Sequence, residues 1–170
     1  NTIYGFALKK SDDAPEMILK LSNLLDYILY QIEKPQVLLK DEINHLMDYV
    51  SLEKMRFHDT LDVTVETKIN NENAQIAPML LIPFVENSFK HGTIIDGKLK
   101  VAIHIETKGD NLFFEIMNSS IAENEALKGI GLGNIEKRLN MLYPKSHKLL
   151  MNQIENKFKI ALEIHNLKSI

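Results

Sequence analysis

Cysteine is absent from this chain, which excludes disulfide staples and thiolate-bound zinc and leaves a reducing compartment open. No long apolar run occurs either. The longest, Met79 to Val85, falls far short of the roughly 20 residues needed to cross a bilayer. No stripe of Lys or Arg stands out and the net charge is −3, so a general nucleic-acid binder is not expected. Internal repeats and low-complexity segments are missing as well. What remains is the composition of a globular protein: 45% hydrophobic and 25% charged over 170 residues, enough for one domain or a domain with a helical extension. The chain opens on Asn1-Thr2-Ile3-Tyr4 with neither an initiator Met nor a signal-peptide pattern, and is read as a fragment of something longer.

Periodicity organises the rest. Asp13-Ala14-Pro15-Glu16 reads as a helix start, and Met17, Ile18, Leu21, Leu24, Leu25, Ile28, Leu29 and Ile32 continue at helical spacing until Pro35. A second helix is expected from Asp41, with Ile43, Leu46, Met47, Val50 and Phe57 on one side. The period then falls to two: Leu61, Val63, Val65 and Ile69 alternate with polar residues, as in a strand with one wet face. Pro78 is expected to open the next helix. Leu99 to Ile105 and Leu112 to Met117 form a hairpin around Lys108-Gly109-Asp110-Asn111, and Ser119 to Lys128 is a polar loop. Leu132, Ile135, Leu139 and Leu142 mark a helix stopped by Pro144, and two strands near 148–154 and 158–165 finish the chain. The expected fold class is α/β, a two-layer sandwich with a mixed sheet of about five strands, helices on one face and an N-terminal helical extension.

Two segments carry chemistry. In Pro83-Phe84-Val85-Glu86-Asn87-Ser88-Phe89-Lys90-His91-Gly92, Asn87 offers a neutral oxygen to magnesium, which takes few protein ligands and fills its octahedron with phosphates and waters. Lys90, three residues on, shares that helix face and reaches phosphate as a point charge, with His91 beside it. In Gly129-Ile130-Gly131-Leu132-Gly133-Asn134, the glycines form a turn that permits positive φ and close approach of backbone N–H groups to phosphate, at the positive start of a helix. Taken singly, an Asn on an amphipathic helix reads as a surface or capping residue, Lys90 as solvated, and a glycine-rich turn as a loop. Their order, with a hairpin between them, points to Mg-ATP.

These residues resemble the GHKL ATPases of the Bergerat type, and within them the LytS-type sensor histidine kinases. The resemblance runs over almost the whole chain: Leu21–Tyr30, Leu39-Lys40-Asp41-Glu42 through Tyr49, Glu53, Arg56-Phe57, Val85–Gly92, the glycine segment and Arg138-Leu139 fall in the family's order. It implies an ATP-binding catalytic domain that transfers the γ-phosphoryl to a His and thence to a cognate response regulator of LytTR type. Residues 1–36 would be the remainder of the helical dimerisation and phosphotransfer region, and 37–170 the catalytic domain. Asn87 would be the Mg2+ asparagine, and Lys90 and His91 would touch phosphate or ribose. Gly129, Gly131, Leu132, Gly133 and Asn134 would form the second glycine box, and Ser119–Lys128 a short ATP lid. The intact protein would be a homodimer, with this part cytoplasmic and the parent anchored in the inner membrane.

Three departures qualify the resemblance. Where the family has an Asp-x-Gly whose Asp binds the adenine amino group, this chain has Asn118-Ser119-Ser120; an Asn both accepts and donates there, so altered rather than lost binding is expected. Pro83 occupies the position where relatives place an acidic or amide residue, and Glu86, the nearest carboxylate, is turned about 100° around the helix from a catalytic-base position. Finally, the family's phosphorylated His precedes the segment that matches Asn1–Ala7, and none of His45, His58, His91, His104, His147 and His165 stands in that context. The fragment by itself is not expected to autophosphorylate. Two other readings stay open: a degenerate nucleotide-sensing or interaction module, and an anti-sigma-factor-type serine kinase on the same fold.

Overall fold

In the computed structural model, residues 13–31, 33–121 and 130–169 are described. Helix α1 (Asp13–Gln31) buries Ala14, Met17, Leu24 and Tyr27 along one line and lies along helix α2 (Leu39–Phe57). The first turn of α2 carries Asp41 and Glu42 and its last turn Lys54 and Arg56, charges that complement the helix dipole at both ends. Its buried face is Leu39, Glu42, Ile43, Leu46, Val50 and Glu53. Met47, expected on that face, is 40% exposed. Lys20 of α1 reaches Asp48 of α2 at 3.4 Å, a partly buried tie between the two helices.

The main sheet contains β2 (Leu61–Lys68), β4 (Leu99–Lys108), β5 (Asn111–Ser119), β7 (Lys157–Ile164) and β6 (His147–Ile154), five strands in the order β2-β4-β5-β7-β6. Strand β2 runs parallel to β4, and the other neighbours are antiparallel. Alternation decides the faces: Val101, Ile103 and Ile105, then Leu112, Phe114 and Ile116, then Phe158, Ile160 and Leu162 are buried on one side. Helix α3 (Ile82–His91) and helix α4 (Ile130–Leu142) cover that side, with the Phe84 and Phe114 rings 5.6 Å apart. The opposite face is wet and carries exposed and half-buried charge, including Lys159–Glu115 at 2.7 Å and Lys108–Glu106 at 3.0 Å. This is the expected two-layer sandwich with its mixed five-stranded sheet and helical extension.

Other elements differ from expectation. A second, small antiparallel sheet joins β1 (Val37–Leu38), β3 (Ala74–Ile76) and β8 (Lys168–Ser169), strands too short to show a period. Pro78 does not open the helix. It lies buried in the turn before it, and α3 starts at Ile82 with Pro83 in its first turn, where a missing N–H costs nothing. Gly131 and Gly133 are not a positive-φ turn: both lie inside α4. Positive-φ glycines among the described residues are Gly97 and Gly109, the latter closing the β4–β5 hairpin.

Candidate nucleotide-binding site

The site grows from the turn that launches α3. Pro78 and Met79 offer their carbonyls to Arg138 of α4, at 2.5 Å from Nη2 and 2.7 Å from Nη1, and the Ala77 N–H donates to the Tyr143 hydroxyl at 2.8 Å. Met79 itself has φ +54°, a conformation a bulky residue adopts only when its surroundings enforce it. The turn is therefore clamped, and the helix that leaves it has a fixed origin.

On α3, Asn87 is 8% exposed and its Nδ2 is buried with no hydrogen-bond partner. A buried amide donor without a partner costs about 1–3 kcal/mol, so the position asks for a ligand. Rotation of the amide by 180° exchanges its ends, presenting oxygen to a cation or nitrogen to a phosphate oxygen; either fits Mg-ATP. Lys90 and His91 are exposed at the end of the same helix. Glu86 is exposed and Asn87 buried, so the two occupy different faces. The Glu86 charge is felt instead on the α2 side, by Tyr49 and Glu53, whose pKa values both rise chiefly through burial. Glu53 is opposed in this by Arg56, which reaches its Oε2 at 2.5 Å.

Gly92 marks where α3 meets the sheet. A Cβ there would stand 2.4 Å from Leu99 Cδ1, 2.5 Å from the Ser88 carbonyl oxygen and 3.3 Å from Asn118 Nδ2. Asn118 is opposite Val101 in the β4–β5 register, so its side chain shares the helix-covered face; it is 2% exposed and donates from Nδ2 to the Ser119 carbonyl at 3.1 Å. The end of β5 thus comes to the end of α3, and the predicted adenine residue lies beside the predicted metal helix. A groove of about 360 Å³ on the wet face of the sheet includes Asn118 but is otherwise walled by residues such as Asp62, Ala102, Met117 and Lys157; it collects none of the α3 or α4 candidates.

Helix α4 packs against α3. Gly131, Gly133 and Asn134 are exposed, and among the described residues a Cβ added at either glycine would meet nothing within 4 Å. Two glycines in the first turn of a helix cost up to roughly 1 kcal/mol each relative to Ala, and no contact among the described residues requires them. Open space above free helix N–H groups is what a phosphate needs. The Leu132 side chain is 1% exposed in the core, so only its backbone can face a ligand. Gly129 and lid residues 122–128 lie outside the described residues. Among the described residues no group of three or more His, Asp or Glu side chains could hold a metal.

Composition and period gave no role to Glu42, Ser119, Tyr143 or Arg138. A signal for Glu42 did exist: it interrupts the apolar line Leu39-Ile43-Leu46-Val50 from within the buried face.

A mixed five-stranded sheet of this order covered on one face by helices is the fold of solved histidine kinase catalytic domains. The nucleotide-free catalytic domain of histidine kinase ThkA has the same fold at a TM-score of 0.59 and 19% identity, over 77% of this chain and 95% of that one. The ThkA structure in complex with response regulator protein TrrA matches 96% of this chain and 56% of its own, at a TM-score of 0.55 and 16% identity. Residues 1–61 match the histidine kinase family model. Sensor histidine kinase BtsS of Escherichia coli (strain K12) is 30% identical over 145 residues, which is 82% of this chain and 25% of that protein. The chain thus spans about a quarter of the length of that curated relative.

Proposed function

We propose that this chain is the ATP-binding catalytic part of a two-component sensor histidine kinase of LytS type, which in the intact protein phosphorylates a His upstream of residue 1 and passes the phosphoryl group to a response regulator of LytTR type. The observation that carries this reading is the buried, partnerless Asn87 amide on a helix packed against a second helix whose first turn holds two unhindered glycines. Bound Mg-ATP would supply the phosphoryl group and the metal's charge neutralisation. The chain's own work is positioning and electrostatics, which suffice for phosphoryl transfer. Asn87 would hold Mg2+, Lys90 and His91 would lie against phosphate or ribose, and the backbone of residues 129–134 would receive phosphate. Asn118 would accept from the adenine amino group.

The exposed apolar line Ile18, Leu21, Leu25 and Leu29 on α1, between 39% and 65% exposed, supports a homodimer through the first 36 residues. Membrane anchorage of the parent belongs to the same proposal; among the described residues no helix is long and apolar enough to cross a membrane.

A second reading, a nucleotide-sensing module without catalysis, is favoured by the end of β5. There the Ser120 N–H donates to the Asn156 carbonyl at 2.9 Å and Gln153 Nε2 donates to the Ser120 carbonyl at 2.9 Å, fastening the base of the lid. Calorimetric titration with Mg-ADP tests both, because no saturable heat at millimolar nucleotide removes each of them. Asn87→Ala is expected to abolish metal-dependent binding, and affinity equal to the parent refutes the assignment. Fusion to the upstream helix then separates the two readings: acid-labile phosphate marks the kinase, its absence the sensing module.

A further inference from the structure

Glu42 is fully buried in the second helix, far along the chain from the residues that would bind nucleotide. Both of its oxygens are committed. Oε1 accepts the N–H groups of Leu80 at 2.8 Å and Leu81 at 2.9 Å, while Oε2 accepts the N–H of Met79 at 2.9 Å and the hydroxyl of Tyr27. A buried carboxylate is costly unless hydrogen-bonded on all sides, and four donors fill its acceptor sites. The three backbone donors are consecutive and immediately precede α3, the helix that carries Asn87. Arg138 grips the carbonyls of the same turn from the α4 side. The Tyr27 hydroxyl comes from α1, so a single carboxylate joins the N-terminal helix to the origin of the candidate metal helix. Tyr27 is further held by stacking on His45, ring centroids 3.8 Å apart, and burial beside Glu42 raises its pKa, so it remains a donor at any physiological pH.

We propose that Glu42 is a positioning residue for Asn87: it fixes the Met79–Leu81 turn, and through Tyr27 it couples the placement of α1 to the geometry of the nucleotide site. This rests on the functional reading above, and it extends that reading from the residues that touch ligand to one that acts through them. A displacement of α1 would reach Asn87 along a short, fully hydrogen-bonded route, with the Tyr27–Glu42 contact as its first joint.

Calorimetric titration of the full chain with Mg-ADP, and with ADP in EDTA, decides the matter for the parent, Glu42→Gln, Asn87→Ala and the double variant. Glu42→Gln keeps the shape but loses acceptor capacity. It is expected to weaken Mg-ADP binding about tenfold, to change metal-free ADP binding less than about twofold, and to add nothing on top of Asn87→Ala, as coupled sites do. Amide exchange is expected to quicken at Met79 to Leu81 and across Ile82–His91 while β5 and β7 keep their protection. A residue that merely supports folding would lower the melting temperature without this metal-selective loss. Parent-like Mg-ADP affinity, equal loss with and without metal, or full additivity with Asn87→Ala overturns the proposal. If the parent shows no heat with Mg-ADP, the functional reading fails, and exchange alone decides: unchanged protection across Ile82–His91 in Glu42→Gln overturns the positioning role, and a selective loss there sustains it. Should Glu42→Gln not fold, Tyr27→Phe carries the test, with two- to threefold weaker Mg-ADP binding expected on the order of one lost hydrogen bond and parent-like binding and exchange refuting the coupling.

Discussion

The Ser119 hydroxyl donates to the Thr93 carbonyl at 2.7 Å and accepts the Lys100 N–H at 3.1 Å. With the Thr93 N–H donating to the Ser119 carbonyl at 2.8 Å, these bonds stitch the segment after α3 to the ends of β4 and β5. Ser119 is therefore not an idle middle residue between Asn118 and Ser120. Its hydroxyl satisfies two main-chain groups in a partly buried corner.

Ser119→Ala is expected to destabilise the fold by about 1–3 kcal/mol, the cost of stranding one donor and one acceptor. Urea unfolding followed by circular dichroism measures this through the midpoint, at unchanged slope. An unchanged midpoint would mean that water replaces the hydroxyl and that the stitch contributes nothing.

His45 supplies a pH dependence. Its ring is stacked on Tyr27, Nδ1 is buried without a partner, and burial lowers its pKa below the usual 6.5 despite the opposing charges of Asp48, Glu42 and Asp41. Between the folded value and 6.5 the unfolded chain binds more protons, so stability is complete above that window and falls as pH drops through it. Glu53 has the opposite sign: its raised pKa favours the fold below the unfolded value of 4.5 and loses that contribution as pH rises through the folded value. His45→Phe keeps the stack and removes the titration. The parent's unfolding midpoint should fall more than the variant's between pH 8 and about 5.5, the window set by the His reference value; parallel curves would show that His45 titrates normally.

The sheet and the long helices were legible because their periods are clean. Strands β4, β5 and β7 each bury every second residue, β6 alternates half-buried with exposed residues, and Asp13 to Gln31 holds helical spacing throughout. The small sheet was not legible, since Val37–Leu38 and Lys168–Ser169 are pairs made only by what they pair with. Pro78 misled for a related reason: proline marks both a helix start and a turn, and the bonds from Arg138 and Glu42 select the turn. For the proposed site, motif order singled out Asn87 and Asn118, which the structure places at the neighbouring ends of α3 and β5. Glu42 showed only as an acidic break within an apolar face; its role was not legible, because the tertiary donors at 2.8–2.9 Å that surround it come from a distant segment.

The exposed line on α1 gives a test of assembly. Leu25, 49% exposed, sits between Ile18 and Leu29 on a face that covers nothing in the described protomer. Leu25→Glu should therefore leave the melting temperature of a monomer within about 0.5 kcal/mol equivalent, as surface substitutions do. Light scattering should show the parent as a dimer and the variant as a monomer. A monomeric parent refutes the assignment of this face to a second copy.

Gly131 and Gly133 separate stability from function most cleanly. Both lie in the first turn of α4 without positive φ, and among the described residues neither has a neighbour within reach of an added Cβ. Gly→Ala at either site should stabilise the fold by about 0.4–1 kcal/mol, since the unfolded chain loses freedom that the helix never uses. On the proposed reading, the same methyl group would stand where phosphate would approach the backbone. Nucleotide affinity is thus expected to fall about tenfold or more, the equivalent of roughly 1.4 kcal/mol, while the melting temperature rises. Calorimetric titration and a thermal melt on the same sample read both effects, and a stabilised variant with parent affinity would remove the glycines from the binding site. Opposite movement of the two quantities is the signature of residues kept small for a ligand, because no loss of packing can weaken binding while it strengthens the fold.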